Sequence, residues 1–267
     1  MMNFSRIAAI VLRQFYLLRG SPSRILPLFM WVMIDMILWG FITRYLNTVT
    51  HSGFDFVPAL LGAVLLWDFL TRVMHGLTMA FFEDVWSRNF LNVFATPITI
   101  SEYVSGLVLS SITTSSFALV VMVIIALGFR LSFFVYGLMM VPFLIVLFMC
   151  GIALGIVGIS IVLRLGPAAE WFIWPVPAML SPFVGVFYPL ATLPVWMRMI
   201  SNALPPSYVF ESMRTIVAGG KPSLVSLCLS SGLALMYILL ASWYFSRTYR
   251  YAVRVGLIPR YSAESVS

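Results

Sequence analysis

The sequence predicts an all-α membrane protein with six transmembrane helices, and three observations carry that prediction. Of its 267 residues, 61% are hydrophobic and only 9% charged, with a mean hydropathy of +1.02; soluble domains carry about 25% charged residues. The apolar runs are long enough for a hydrocarbon core of about 30 Å, which takes about 20 residues per helix. They are also continuous, without the period-2 alternation of a barrel strand, and lipid admits only helices or closed barrels.

The elements follow in order. Residues 1–24 read as an amphipathic interface helix. Within "NFSRIAAIVLRQFYLLR", Phe4, Ile7, Ala8, Val11, Leu12, Phe15 and Leu18 share one face, and Arg6 and Arg13 lie opposite. The apolar run that follows is too long for the h-region of a cleavable signal. Six spans are expected within a membrane domain of residues 25–246, at 25–46, 57–80, 103–128, 134–163, 170–190 and 223–246. The fifth contains Pro175, Pro177, Pro182 and Pro189, so a kink or break is expected there. A basic tail, 247–267, closes the chain.

Arginine placement sets the orientation. With both termini inside, Arg6, Arg13, Arg19, Arg24, Arg88, Arg164, Arg247, Arg250, Arg254 and Arg260 lie on the inner side. Arg44, Arg130, Arg198, Arg214 and Lys221 lie outside, and Arg72 is within a span. The excess inside predicts cytoplasmic termini and accounts for the net charge of +7. Arginines scattered over several loops do not make a nucleic-acid face.

The chain offers little for catalysis. Cys150 and Cys228 sit in apolar runs without a CxxC and read as packing residues. His51 and His75 lack metal-ligand spacing, so no metal or directly bound cofactor is expected. A phosphate loop requires G-x-x-x-x-G-K-[ST]. The one lysine, Lys221 in "TIVAGGKPS", is followed by Pro222, and Thr215 stands where the first glycine belongs. The chain is therefore no ATPase itself: either it is ion-driven or passive, or the engine is another chain. No two similar halves are visible, against an inverted-repeat transporter complete in one chain.

Asp35, Asp68, Arg72 and His75 fall inside spans, where a charge costs about 2.5–3.5 kcal/mol at the helix centre on insertion scales. Asp68 and Arg72, four apart, can pair on one face, and Asp35 can join them. Three roles remain open: a buried network that fixes helix packing, a polar lining of a transport path, or a proton relay through Asp35, Asp68 and His75. The last would make the chain an ion-coupled secondary transporter, which is the alternative reading. "GIALGIVG" places Gly151, Gly155 and Gly158 for close helix approach. "SSITTSS", residues 110–116, either bonds to a neighbouring helix or lines a path. Glu211 and Arg214 form a local ion pair or a latch. Trp31, Trp39 and Trp67 face a path, sit in the lipid belt or pack within the protein.

One charged stretch interrupts the apolar runs: "EDVWSRNFLNVFATPIT", residues 83–99, on the predicted inner side. At helical spacing Trp86, Phe90, Val93 and Phe94 share a face, Asp84, Arg88, Asn92 and Ala95 lie opposite, and Pro97 ends the helix. Such a helix is either a passive connector or a docking knob for a partner's groove.

Extended to "EDVWSRNFLNVFATPITISEYVSG", the stretch resembles the segment between spans two and three in permease subunits of type-2 ATP-binding-cassette (ABC-2) exporters. The family's glutamate, leucine, proline and glycine correspond to Glu83, Leu91, Pro97 and Gly106. Downstream, Phe187 to Pro189, Leu193 to Trp196, Asn202 to Pro206 and Arg214 match the aromatic-proline pair, the Leu-Pro-hydrophobic-Trp element, the outer turn and the trailing arginine. "NALPP" departs from the family's usual Asn-Pro turn. The resemblance implies a cytoplasmic coupling helix over 83–97 that docks an ABC ATPase through Glu83, Trp86, Arg88, Phe90, Leu91, Phe94 and Pro97. It implies short external re-entrant helices over 191–217, with Pro189, Pro194, Trp196, Glu211 and Arg214 as an external gate. It further implies a second permease chain, in a homodimer, with ATP and Mg on the ATPase subunit. The setting would be the bacterial cytoplasmic (inner) membrane. The cargo would be an amphipathic or hydrophobic drug, lipid or lipid-linked glycan moving outward. Arg247, Arg250 and Arg254 would then touch either lipid headgroups or the ATPase.

Overall fold

The computed structural model describes residues 3–20, 22–49, 57–87, 89, 92–93, 95–131, 135–166 and 169–257. No strand occurs among these residues. Helix α1, Phe4–Arg19, starts at Asn3, whose side chain accepts from the Ser5 amide at 3.0 Å. Helix α2, Pro22–Val49, covers the expected first span. A π-helical turn, Val57–Leu61, leads into α3, Gly62–Trp86. Helix α4, Ile100–Gly128, opens on a capping box. The Thr99 hydroxyl accepts from the Glu102 amide at 3.3 Å, and the Glu102 carboxylate accepts from the Thr99 amide at 2.9 Å. Helix α5 spans Met140–Leu165.

The expected fifth span is broken. It becomes α6, Glu170–Ile173, and α7, Val176–Val184, and then reverses at Gly185, where φ is +68. Nine residues of α7 rise only about 14 Å, less than half the hydrocarbon core. Pro175 caps α7, and Pro182 lies inside it. Two short helices follow, α8, Val195–Ala203, and α9, Pro205–Val217, and then α10, Leu224–Val255. In "NALPP", Leu204 precedes α9 and the two prolines open it, where their missing N–H groups cost nothing.

Among the described residues, four helical segments are long and apolar enough to cross a membrane: Val57–Trp86, Ile100–Gly128, Gly137–Leu165 and Leu224–Val255. The first and third have 61% and 67% of their apolar window buried, against 28% and 17% for the other two. Helices α3 and α5 therefore form the inside of the bundle, while α4 and α10 present apolar faces outward. The α3–α5 contact is built on the expected glycines. A Cβ on Gly151 would stand 2.8 Å from the Val73 side chain, one on Gly155 2.8 Å from Leu77, and one on Gly158 2.8 Å from Thr78. The Ser111 hydroxyl donates to the Val73 carbonyl at 2.9 Å, so part of the serine-threonine run stitches α4 to α3. Ser110, Thr113 and Thr114 bond back within α4 instead.

Candidate functional site

At one end of the bundle α1 lies across the foot of α4, with Ile10 seated on Gly106. A Cβ on that glycine would be 2.7 Å from Ile10. The face of α1 turned inward carries Ile7, Ile10 and Gln14, whereas Phe4, Leu12 and Phe15 are exposed. Much of the continuous apolar stripe thus looks away from the bundle, and the neighbouring face packs against it. Arg13, expected on the polar side, turns inward as well. Its Nη1 donates to Asp84 Oδ2 at 3.0 Å, and its Nη2 closes a second contact to Oδ1. Asp84, placed by helical spacing opposite the aromatic face, has no exposed surface and also accepts from the Tyr103 hydroxyl at 2.6 Å. The Asp84 hydrogen bond lifts the Arg13 guanidinium above its ordinary pKa, which keeps this cation charged.

A second buried carboxylate does the same work one element on. Glu102 accepts from the Asn3 amide at 2.8 Å and from the Thr99 amide at 2.9 Å, and meets Arg6 Nη1 at 3.5 Å. Asp84 belongs to the last turn of α3 and Glu102 to the first turn of α4. Between them runs the charged stretch of the sequence. Both of its flanks are thus fastened to α1.

Within that stretch α3 continues unbroken to Trp86, so Glu83 and Trp86 end the long helix rather than starting a separate one at residue 83. Trp86 is half exposed, with its ring 5.8 Å from Phe82. Pro97 is exposed in a turn, and Asn92 and Val93 are helical. Arg88, Phe90, Leu91 and Phe94 lie outside the described residues.

The four intramembrane polar residues do converge. The Asp35 carboxyl of α2 lies beside the Asp68 carboxyl of α3. Arg72 lies one turn from Asp68 on the same face. The His75 ring lies 4.7 Å from Trp174, whose indole N–H donates to Glu170 Oε1 at 3.1 Å. The sequence reading missed Glu170, Trp174 and Thr71. Among the described residues, Asp68 Oδ2, Thr71 Oγ1, Arg72 Nε and His75 Nε2 are buried without a hydrogen-bond partner.

At the other end, Arg214 does more than pair locally. Its Nη2 donates to Glu211 Oε2 at 2.6 Å, while Nη1 donates to the Gly185 carbonyl at 2.7 Å. It therefore braces the chain reversal after α7. Pro194 caps α8, Trp196 meets Phe183 edge-on at 6.2 Å, and Pro189 precedes a short turn, Leu190–Thr192. Ser201 Oγ donates to the Phe183 carbonyl at 2.5 Å, tying α8 to α7. Trp39 of α2 stacks on Phe187 at 4.9 Å, so the reversal also touches the first long helix. Trp67 packs at 6.2 Å against Phe210, and Trp31 is exposed.

The sequence model of the ABC-2 type transporter family matches residues 6–218, from the arginine beside Glu102 to just beyond α9. The chain belongs to that family. No curated protein matches it. As an ABC-2 permease subunit it is a multi-pass membrane component of a transporter rather than a catalytic domain, and the family implies an ABC ATPase subunit as partner. The matched range contains the α1 fastening, the polar stripe on α3 and the α8–α9 hairpin, and stops short of α10.

Proposed function

We propose that this permease exports an amphipathic or hydrophobic cargo, driven by ATP bound with Mg and hydrolysed on a separate ABC ATPase that seats against the segment between α3 and α4. The observation that carries this reading is the double fastening: Asp84 and Glu102 flank the segment, and both are tied to α1. A push there reaches α1, α3 and α4 together. On this reading the α1 end is cytoplasmic, in a bacterial inner membrane, and α2 with the broken α6–α7 pair completes six crossings. Two copies pair as a homodimer. The α8–α9 hairpin is re-entrant on the outer side, where Pro189, Pro194, Trp196 and the Glu211–Arg214 pair form the exit gate. The unpartnered polar atoms of Asp68, Thr71, Arg72 and His75 line the path and meet the cargo's polar groups.

Affinity purification of the gently solubilised chain, with ATPase assay and protein identification, tests the docking. An ABC ATPase is expected with the wild type and its loss with Trp86→Asp, because Trp86 is the exposed aromatic side chain at the end of α3. If no ATPase accompanies the wild type, the proposal fails. The unpartnered buried atoms of Asp68 and His75 then favour the second reading, proton-coupled flux through Asp35, Asp68 and His75.

A further inference from the structure

Between α3, α5, α7, α9 and α10 lies a cavity of about 390 Å³, within the range of ligand pockets. Its lining is almost wholly apolar, with Leu70, Ala153, Val157, Leu180 and Leu240 among the walls. The Tyr237 hydroxyl beside it already donates to the Ala203 carbonyl at 2.6 Å. A water needs two to four polar partners, whereas even a void of about 150 Å³ lined by apolar side chains takes up benzene or xenon. The chemistry therefore selects hydrocarbon.

The cavity's shape selects a chain. Its walls include Cys150 to Val157 along α5 and Tyr237 to Tyr244 along α10. Seven residues of helix rise about 10 Å, so the void is a slot parallel to the long helices, as lipid chains are. Leu240 and Trp243 line the slot and are also more than half exposed. They mark its mouth on α10, the long apolar helix with the least buried window, whose outward face meets hydrocarbon. The slot also reaches Leu204, Pro205 and Pro206, the junction of α8 and α9.

We propose that this slot is a fixed binding site for one acyl chain of a bilayer phospholipid, distinct from the mobile lipid around the protein. The chain wedges between α5 and α10 and supports the α8–α9 junction from below. This holds whatever cargo the permease carries.

The test uses the full chain in phosphatidylcholine nanodiscs with a tracer phosphatidylcholine bearing a diazirine near the end of one acyl chain. After photolysis, adducts are mapped by mass spectrometry. Adducts on Leu154, Tyr237, Leu240 and Tyr244 are expected several-fold above those on Phe117, Val120 and Ile124, exposed residues of α4. Ala153→Trp should lower the slot adducts about fivefold or more, equivalent to about 1 kcal/mol of lost affinity, and leave the α4 adducts unchanged. Ala241→Phe fills the slot from the opposite wall and should act alike. The α4 adducts report whether each variant folds. A measurement without variants is native mass spectrometry of the wild type, which should retain one phospholipid per chain after detergent strips the rest. Equal labelling of slot and α4 face, slot labelling that survives in a folded Ala153→Trp chain, or a wild type that retains no lipid overturns the proposal.

Discussion

Arg13→Ala should release α1 from the bundle. Removing one partner of a buried ion pair costs about 3–5 kcal/mol. Two features reduce that here: the Arg13 side chain is 28% exposed, and Tyr103 still donates to Asp84 at 2.6 Å. A cost of about 2 kcal/mol on the attached state of α1 remains, and at about 1.4 kcal/mol per factor of ten it raises the detached population about thirtyfold. Hydrogen exchange in nanodiscs reads this directly, because local opening sets amide exchange. Amides of residues 8–19 should exchange about thirtyfold faster, while those of α5, which carries no residue of the pair, should not change. Asp84→Asn keeps the side-chain shape and still accepts from Tyr103 but lacks the charge. It should speed α1 exchange by about fivefold, or about 1 kcal/mol. The double variant should show less than the sum of the two, since both remove the same contact. If Arg13→Ala leaves α1 exchange within about twofold of wild type, or if the two effects add, the ion pair is not the fastener.

Gly106→Leu should free α1 by steric means, since even the Cβ meets Ile10 at 2.7 Å, and should accelerate the same amides without touching either carboxylate. Gly155→Leu forces α3 and α5 apart at Leu77 and should cost about 1–3 kcal/mol, read as a lower melting temperature in detergent. Arg214→Ala leaves the Gly185 carbonyl without its donor, at about 1–2 kcal/mol, and proteinase K should then cut faster between residues 185 and 192. Gly76→Pro breaks the middle of α3 at about 3 kcal/mol or more, and should leave ATPase copurification intact while abolishing cargo export.

What the sequence disclosed follows from how local each signal is. Lipid immersion is a bulk property and is legible at once. Gly151, Gly155 and Gly158 are legible because small residues four apart in an apolar helix have one main use, close packing. The broken fifth span is legible because four prolines in about twenty residues leave few other outcomes. Which side of α1 meets the bundle was not legible, for a physical reason. Amphipathic periodicity weighs Phe4, Leu12 and Phe15 like Ile7, but Gly106 offers a notch to Ile10 alone, and that contact fixes the rotation. The Arg13–Asp84–Tyr103 cluster joins residues 71 and 19 positions apart. At a helix end, in sequence, such charges are indistinguishable from solvated ones. Glu102 is an intermediate case, since Thr99-x-x-Glu102 is a readable capping box, but the Asn3 amide that completes it is not. The apolar slot, built from five elements, leaves no trace in any one of them.

The two ends of the bundle are built from different chemistry, and α3 joins them. At the α1 end, short charge-assisted bonds to buried carboxylates fix one geometry, because a small displacement leaves Asp84 uncompensated. At the α8–α9 end, apolar contacts, the Glu211–Arg214 pair and hydroxyl-to-carbonyl bonds from Ser201 and Tyr237 hold the hairpin, with no fully buried ion pair among the described residues. Helix α3 carries Asp84 in its last turn, the Asp68–His75 stripe in its middle and Trp67 at the slot, with no proline between Gly62 and Trp86. From Asp84 to Asp68 is about 24 Å of unbroken helix. A helix does not shorten under load, so a displacement imposed on Asp84 arrives at the polar stripe undiminished. The glycine contacts to α5 then make both inner helices move as one body. On the proposed reading, ATP-driven work enters where the protein is rigid and is delivered where it yields. On that reading, the fastening to α1, rather than the hairpin, would set whether a push becomes transport.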